Sequence, residues 1–459
     1  MTDSKVTLEK IMALAKRRGF VFPSSEIYGG LANTWDFGHY GTLLKNNLRD
    51  FWWQRFVLQR DDMVGIDASI ILKPEVWNAS GHVTGFNEAL IDCKNCKNRV
   101  RADHLIEDNL PNRKVEGLPF EELTKLIKEN YLKCPSCGKS DWTKVRKFNQ
   151  LVEMKLGVLE EGKNLAYLRG EIAQGIFLNF KNVLNSMRVK LPFGIAQQGK
   201  AFRNEITMGQ FVHRTFEFDL MEFEYFIRPE KWQEVFKMWQ KEMWSFALAL
   251  GIDEKKLHWR KHEEFERSHY SKKTMDIEYQ YPFGWKEMFG IAYRTDFDLS
   301  NHSKASGKDL SYTDPLTKEK FFPHVVEPTF GLSRLVGVLL TDAYREEEVK
   351  GATRIHLKLP PQIAPVKAAV FPLQKDAKLA QVAKEIYKDL HKNLVVEFDD
   401  SGNIGKMYRR QDEIGTPYCV TVDYESLNDK KVTVRDRDTM KQERVGINEL
   451  TEYLKSKIT

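Results

Sequence analysis

No apolar run in this sequence approaches the roughly 18 residues that would mark a membrane-spanning helix. The opening stretch, MTDSKVTLEKIMALAKRRGF, lacks a basic lead followed by an apolar segment, so no secretory signal is read. Internal repeats and low-complexity tracts are absent too, which excludes solenoids and fibrous arrays. No GxxxxGK(S/T) loop or strand-bounded GxGxxG accompanies the Gly29–Gly30 pair, which is therefore not a phosphate loop. Cysteine is scarce, five in 459 residues. The odd count and two C-x2-C pairs exclude a disulfide framework and fit an intracellular, cytoplasmic protein.

What is present is ordinary globular material. Apolar residues make up 42% and charged residues 30%, and the length suggests about three domains. Lys and Arg number 71 against 65 Asp and Glu, a net +6 that permits an acidic partner such as RNA without demanding one. A helix is expected over 5–19, another from Tyr40 to Asp61 with Leu44, Leu48, Phe51 and Trp52 on one face, and a third over KWQEVFKMWQKEMWSFALAL. Residues 192–226 read as strands with one turn, and FFPHVVEPTFGLSRLVGVLL as strand, tight turn and helix. The charged, Pro- and Gly-punctuated stretch between the cysteine pairs reads as an insertion. The Pro cluster in LKLPPQIAPVKAAVFPL is the clearest domain boundary, and alternating strands and helices after it predict a small α/β domain. That tail holds 17 basic and 16 acidic residues, so its bulk charge names no partner.

The most informative stretch is GKAFRNEITMGQFVHRTFEFDLMEFEYF, residues 199–226. A strand would put Arg203 and Glu205 on one face, and a turn around Met208–Gly209–Gln210 would lead into a strand where Arg214, Phe218 and Glu222 point one way. Arginine forks onto phosphate, an aromatic ring stacks on a base, and a carboxylate accepts from an amine or ammonium. The plainer reading is a half-exposed sheet with cross-strand ion pairs. The cysteines form C-x2-C-x37-C-x2-C, from Cys93, Cys96, Cys134 and Cys137. These are either a four-thiolate zinc site of structural type or four reduced thiols. Cys419, in PYCVTV, reads as an inert core thiol. His82, His104 and His324 join no Ser and carboxylate in a nucleophilic arrangement.

Taken together these stretches resemble the class II aminoacyl-tRNA synthetases. FRNE followed by Arg214-x3-Phe218 has the form of motif 2, VVEPTFGLSR that of motif 3, and the Tyr40–Asp61 helix sits where motif 1, the dimer element, would lie. EIYGGLANTWDFGHYGTLLKNNL, RADHLIE, YLRGEIAQGIFLNF, GWKEMFGIAYRTDFDL and FPHVVEPTFGLSR narrow the resemblance to the homodimeric glycyl-tRNA synthetase family across nearly the whole chain. It implies an α+β fold: an antiparallel-sheet catalytic domain over 1–90 and 149–358, a zinc-ribbon-like insertion over 91–148, and an α/β anticodon-binding domain over 361–459.

The resemblance further implies ATP-dependent charging of tRNA(Gly) through a glycyl-adenylate, with Mg²⁺ accompanying ATP, structural zinc and a homodimer. The alternative is a non-catalytic paralogue that binds RNA; the joint presence of Arg203, Glu205, Phe218 and Arg334 argues for the enzyme. By the same resemblance Arg203 and Arg334 are catalytic. ATP would be held by Arg203, Asn204, Glu205, Arg214, Phe218, Glu287, Met288, Gly331 and Arg334. Glu287 would hold Mg²⁺, or be a plain exposed carboxylate. His213 either reaches the ATP phosphates or packs outside. Glycine would contact Arg101, Glu171, Glu222, Arg294, Glu327 and Thr329. Two departures stand out: Thr329 replaces the family's usual serine, and Phe289 an acid.

Overall fold

A computed structural model describes residues 6–458 apart from 111, 112, 114, 116, 117, 158–163, 207–209 and 350. Seven strands form its central sheet: β1 (Met63–Gly65), β2 (Phe193–Phe202), β3 (Glu217–Ile227), β4 (Leu257–Lys261), β5 (Lys273–Tyr281), β6 (Gly284–Thr295) and β7 (His324–Gly331). Their spatial order is β4-β5-β6-β7-β3-β2-β1, antiparallel except for the parallel edge pair of β2 and β1.

Period-two alternation gives this sheet two unlike faces. Along β3, Met221, Phe223 and Tyr225 enter the main core, where Trp52, Trp239 and Phe330 surround Phe223. Glu222 and Glu224 occupy the alternate positions and are buried on the other side. Along β7 the same rule sends Val326 and Phe330 into the core and puts Glu327 and Thr329 on the opposite face. Helices α1 (His39–Trp53), α3 (Trp232–Ala249) and α4 (Leu332–Ala343) supply the core face. Helix α2 (Ala173–Met187) packs on the other, setting Phe177 and Phe180 against Phe226.

Several boundaries differ from the sequence reading. The helix expected to run to Asp61 is α-helical only to Trp53 and continues as a π-turn over Gln54–Leu58. The expected hairpin is not continuous, because β2 ends at Phe202 and Arg203–Glu205 lie beyond it. The backbone there leaves the ladder: the Arg203 N–H donates to the Phe216 carbonyl and the Asn204 N–H to that of Gln150, at 2.9 and 2.8 Å. Met208 and Gly209 of the expected turn lie outside the described residues. No tight turn separates β7 from α4 either, since Gly331 ends the strand and caps the helix.

Residues 87–149 form a smaller unit of their own. Its three strands lie in the order Arg99–Arg101, Asn87–Asp92, Arg146–Asn149, and with helices Ala102–Asn109 and Phe120–Glu129 they bury Ile91, Ile106, Leu123, Ile127 and Trp142. The tail has a five-stranded sheet, ordered Val396–Phe398, Ala368–Pro372, Tyr418–Val422, Lys431–Asp436, Gln442–Gly446, with a separate apolar core. Arg354 ties it to the rest: fully buried, it places Nε 2.7 Å from Asp412 Oδ2 and donates from Nη2 to the Arg437 carbonyl at 2.6 Å. Among the described residues, no helix is long and apolar enough to cross a membrane.

Candidate functional site

The polar face of the sheet opens into a cavity of about 220 Å³. Its floor is a row of facing residues across three strands, Glu222, Thr329 and Gly290. A Cβ at Gly290 would sit 3.4 Å from Asp276 Oδ1 and 3.8 Å from Glu287 Oε1, so glycine keeps this floor open between two carboxylates. Arg203, Phe218, Glu287 and Arg334 line one part of the cavity, and Glu171, Glu222, Glu327 and Thr329 another.

The acidic end is organised by Arg294, whose guanidinium is completely buried. It donates to both oxygens of Asp298 at 2.8 and 2.9 Å, to Glu327 at 2.8 Å and to Glu171 at 3.3 Å. Its Cζ lies 3.8 Å from the centre of the Tyr270 ring. One cation is thus shared among three carboxylates, while among the described residues Glu222 receives only the Thr329 hydroxyl, at 2.8 Å, and its buried Oε1 has no partner. Burial raises the Glu222 carboxyl to about 7, with help from Glu171. Burial also raises Glu327. Burial acts the same way on Glu171, but His82 and Arg294 outweigh it and hold that carboxyl well below its ordinary range. An enclosed set of this kind is deficient in positive charge and suits a small cation such as an ammonium.

The other end suits an anion beside a flat ring. Arg203 donates from Nε to the Gly170 carbonyl at 3.0 Å and lies over the Phe218 ring, its Cζ 5.3 Å from the centroid. Arg214 reaches Glu205 at 3.2 Å. Arg334 pairs with Glu287 at 2.8 Å and donates to the His213 carbonyl at 3.3 Å. Gly331 caps α4 here, so the positive end of a buried 12-residue helix abuts the cavity. His213 lines it too, held neutral by burial and by Arg334 and Arg214.

Four expected residues do not line this cavity. Arg294 is fully buried behind it, bonded to Glu327 and Glu171, which do line it. The Met288 side chain is fully buried in the main core: a β-bulge in its own strand pairs Glu287 with Glu278 and Phe289 with Ile277 and leaves Met288 between them. Asn204 and Arg101 line a neighbouring cavity of about 860 Å³ between the 87–149 unit and the sheet. There Arg101 is held by Asp103 and Glu88, and Glu88 lies 3.8 Å from Arg214. Sequence reasoning missed His82, Gln174, Asp276, Asp298 and Tyr270. Asp276, paired with His262 at 2.6 Å, is raised by burial and by Glu287 to about 6. Phe289 lies in the core, where an acid would be unpaired.

The four cysteines converge, with all four sulfurs within 4.8 Å of one another. Cys93 and Cys137, like Cys96 and Cys134, place their Sγ atoms 3.6 Å apart. Tetrahedral zinc with bonds of about 2.3 Å would space thiolates by roughly 3.8 Å, so the set is compatible with that ion. The two knuckles are the same turn: the Cys93 N–H donates to the Asn98 carbonyl as that of Cys134 does to Lys139, and Lys97 and Gly138 both take positive φ, 62° and 71°.

Comparison with known proteins gives a consistent picture. Residues 367–457 match the family model described as an anticodon binding domain. The chain is 52% identical to a glycine–tRNA ligase of Caldanaerobacter subterraneus subsp. tengcongensis over 99% of both chains. It is 52% identical to one from Clostridium acetobutylicum over 100% of both. With a Bacillus cereus glycine–tRNA ligase it shares 50% identity over 98% of its length and 99% of the relative's. Among solved structures, prolyl-tRNA synthetase from Cryptosporidium parvum complexed with halofuginone and AMPPNP superposes with a TM-score of 0.64 at 15% identity. That match covers 100% of this chain and 77% of the other, a likeness of fold.

Proposed function

We infer the function from membership: the chain belongs to the glycine–tRNA ligase family, and it attaches glycine to tRNA(Gly) in an ATP-dependent reaction. The non-catalytic RNA-binding alternative has no support. The observation that carries the division of labour within the site is the single cavity lined at one end by Arg203, Phe218 and Arg334 and at the other by Glu171, Glu222 and Glu327.

The first step joins a glycine carboxylate oxygen to the α-phosphorus of ATP and expels pyrophosphate; the second passes the glycyl group to a hydroxyl at the tRNA 3′ terminus and releases AMP. Arg203 reaches the α-phosphate and the attacking carboxylate, neutralising charge that builds during in-line displacement. Phe218 stacks on adenine and Glu205 accepts from its amine. Arg334 and the capped end of α4 face the outer phosphates, with Arg214 and neutral His213 alongside. Mg²⁺, when bound, screens the phosphates, and Glu287 is the carboxylate best placed to hold it. Glycine offers no side chain, so Glu222, Glu327 and Glu171 take its ammonium, while the Thr329 methyl leaves little room for a larger amino acid. Asn204 and Arg101, on the neighbouring cavity, act outside these contacts.

We also assign structural zinc to Cys93, Cys96, Cys134 and Cys137, tRNA contact to the tail, dimerisation to the α1 region and residence to the cytoplasm. The catalytic unit is drawn at 1–90 and 149–358, the insertion at 91–148 and the anticodon unit at 361–459.

The test is ATP–pyrophosphate exchange without tRNA across glycine, alanine, serine, threonine and proline. Exchange with glycine alone is expected, and Arg203→Ala should abolish it. Near-normal exchange in that variant would remove Arg203 from its role, and exchange with another amino acid would discard the glycine pocket.

A further inference from the structure

The acidic pocket has a support of its own in the segment ASGHVTG, residues 79–85. His82 is 2% exposed, enclosed by the rings of Trp77 and Phe86, each with its centroid 5.3 Å away. Its Nε2 lies 3.2 Å from Glu171 Oε2 and its Nδ1 2.8 Å from the hydroxyl of the fully buried Ser80. The other Glu171 oxygen, Oε1, is already taken by Gln174 at 2.8 Å and Arg294 at 3.3 Å. Since a carboxylate oxygen only accepts, Nε2 carries the proton, and Ser80 can donate to Nδ1 or accept from it.

The backbone around His82 leaves little freedom. Gly81 has φ +79°, and a Cβ there would lie 2.8 Å from His269 Nε2; at Gly85 it would lie 3.0 Å from His269 Nδ1. His269 in turn is bonded to the Ser80 carbonyl at 2.8 Å. The segment is therefore moulded onto His269, and the product of that fit is one imidazole N–H aimed at one carboxylate oxygen.

We propose that His82 is a positioning residue for the amino-acid pocket, fixing Oε2 of Glu171 so that this carboxylate is held where the substrate ammonium must bind. The proposal rests on the reading of Glu171 as an ammonium-facing group. Loss of the bond frees Glu171 to rotate about its remaining partners, and the effect should fall on amino-acid binding rather than on ATP.

The experiment is ATP–pyrophosphate exchange by the full chain, reading KM for glycine and KM for ATP separately, in His82→Ala, His82→Gln, His82→Asn and Glu171→Gln. His82→Ala should raise the glycine KM about tenfold or more and leave the ATP KM within about twofold. Glutamine can carry its amide N–H to the place of Nε2 and should recover most of that loss. Asparagine puts its amide near Nδ1, where it meets Ser80, and should not. A packing role alone would affect glutamine and asparagine alike and would lower thermal stability without separating the two KM values, overturning the proposal. That contrast also decides the matter if His82→Ala fails to fold. A glycine KM unchanged by Glu171→Gln would overturn the reading of Glu171 itself. A rise there with none in any His82 variant would overturn the role of His82 alone.

Discussion

Burial and the neighbouring Glu171 push the Glu222 carboxyl up to about 7, so near neutrality this side chain divides between a neutral acid and an anion. An ammonium needs the anion. The glycine KM should therefore fall as pH rises and level off above about 7, lying roughly tenfold higher at pH 6 than on the plateau. A pH series of the exchange reaction checks this, and Glu222→Gln should remove the dependence along with most of the affinity. The sign for stability is opposite. A carboxyl raised in the folded state binds more protons there than in the unfolded chain, so its contribution declines as pH climbs from the ordinary carboxylate range through about 7. Added glycine should restore part of that loss in thermal melts. The sequence singled out Glu222, Glu327 and Arg294, which the fold brings together, because each stands in a recognisable local stretch. Asp298 and Gln174 were not, since their meaning lies in a bond to each other across 124 positions, which no local pattern encodes.

At the scale of elements, the two cysteine knuckles face each other across a unit whose apolar core is small. Four thiolates this close, without a cation, would repel one another as they ionised, so metal binding and folding of residues 87–149 should be one event. One equivalent of zinc per chain is expected, and Cys93→Ser should remove it and make that segment the first site of limited proteolysis. Metal analysis finding no zinc in carefully prepared protein would refute the assignment. Strands and helices with steady periodicity were readable from sequence: α3 and the tail strands lie where their apolar spacing put them. Residues 203–205 were misread because their alternation continues that of β2, while the Arg203 and Asn204 N–H groups go to Phe216 and Gln150, outside the strand ladder. Pattern reports which residues prefer an interior; it does not report where a ladder stops.

Across the whole molecule, β3 serves two structures at once. Phe218 and the next residue, Asp219, both line the cavity, and the Asp219 carboxylate is bound by Lys45 and Arg49 of α1. Its backbone N–H is also taken, by the Ser333 hydroxyl of α4 at 3.0 Å. Removing one partner from a buried charge group of this kind costs about 3–5 kcal/mol, so α1 cannot shift without disturbing β3. Sequence placed α1 at the expected subunit contact but gave no sign of the Asp219 bonds, which join residues 170 and 174 positions apart. On the proposal that a second copy docks on the α1 region and that Phe218 stacks on adenine, docking would stiffen that platform through the Asp219 bonds. Specific activity should therefore depend on enzyme concentration. Diluted below its association range, the enzyme should lose turnover while circular dichroism stays native, and Lys45→Met should move that loss to higher concentration. Sedimentation showing a fully active monomer would exclude the arrangement. In a cell, the number of working sites would then follow the square of subunit abundance when the protein is scarce, so a modest fall in synthesis of this one chain would be felt as a steeper fall in charging capacity.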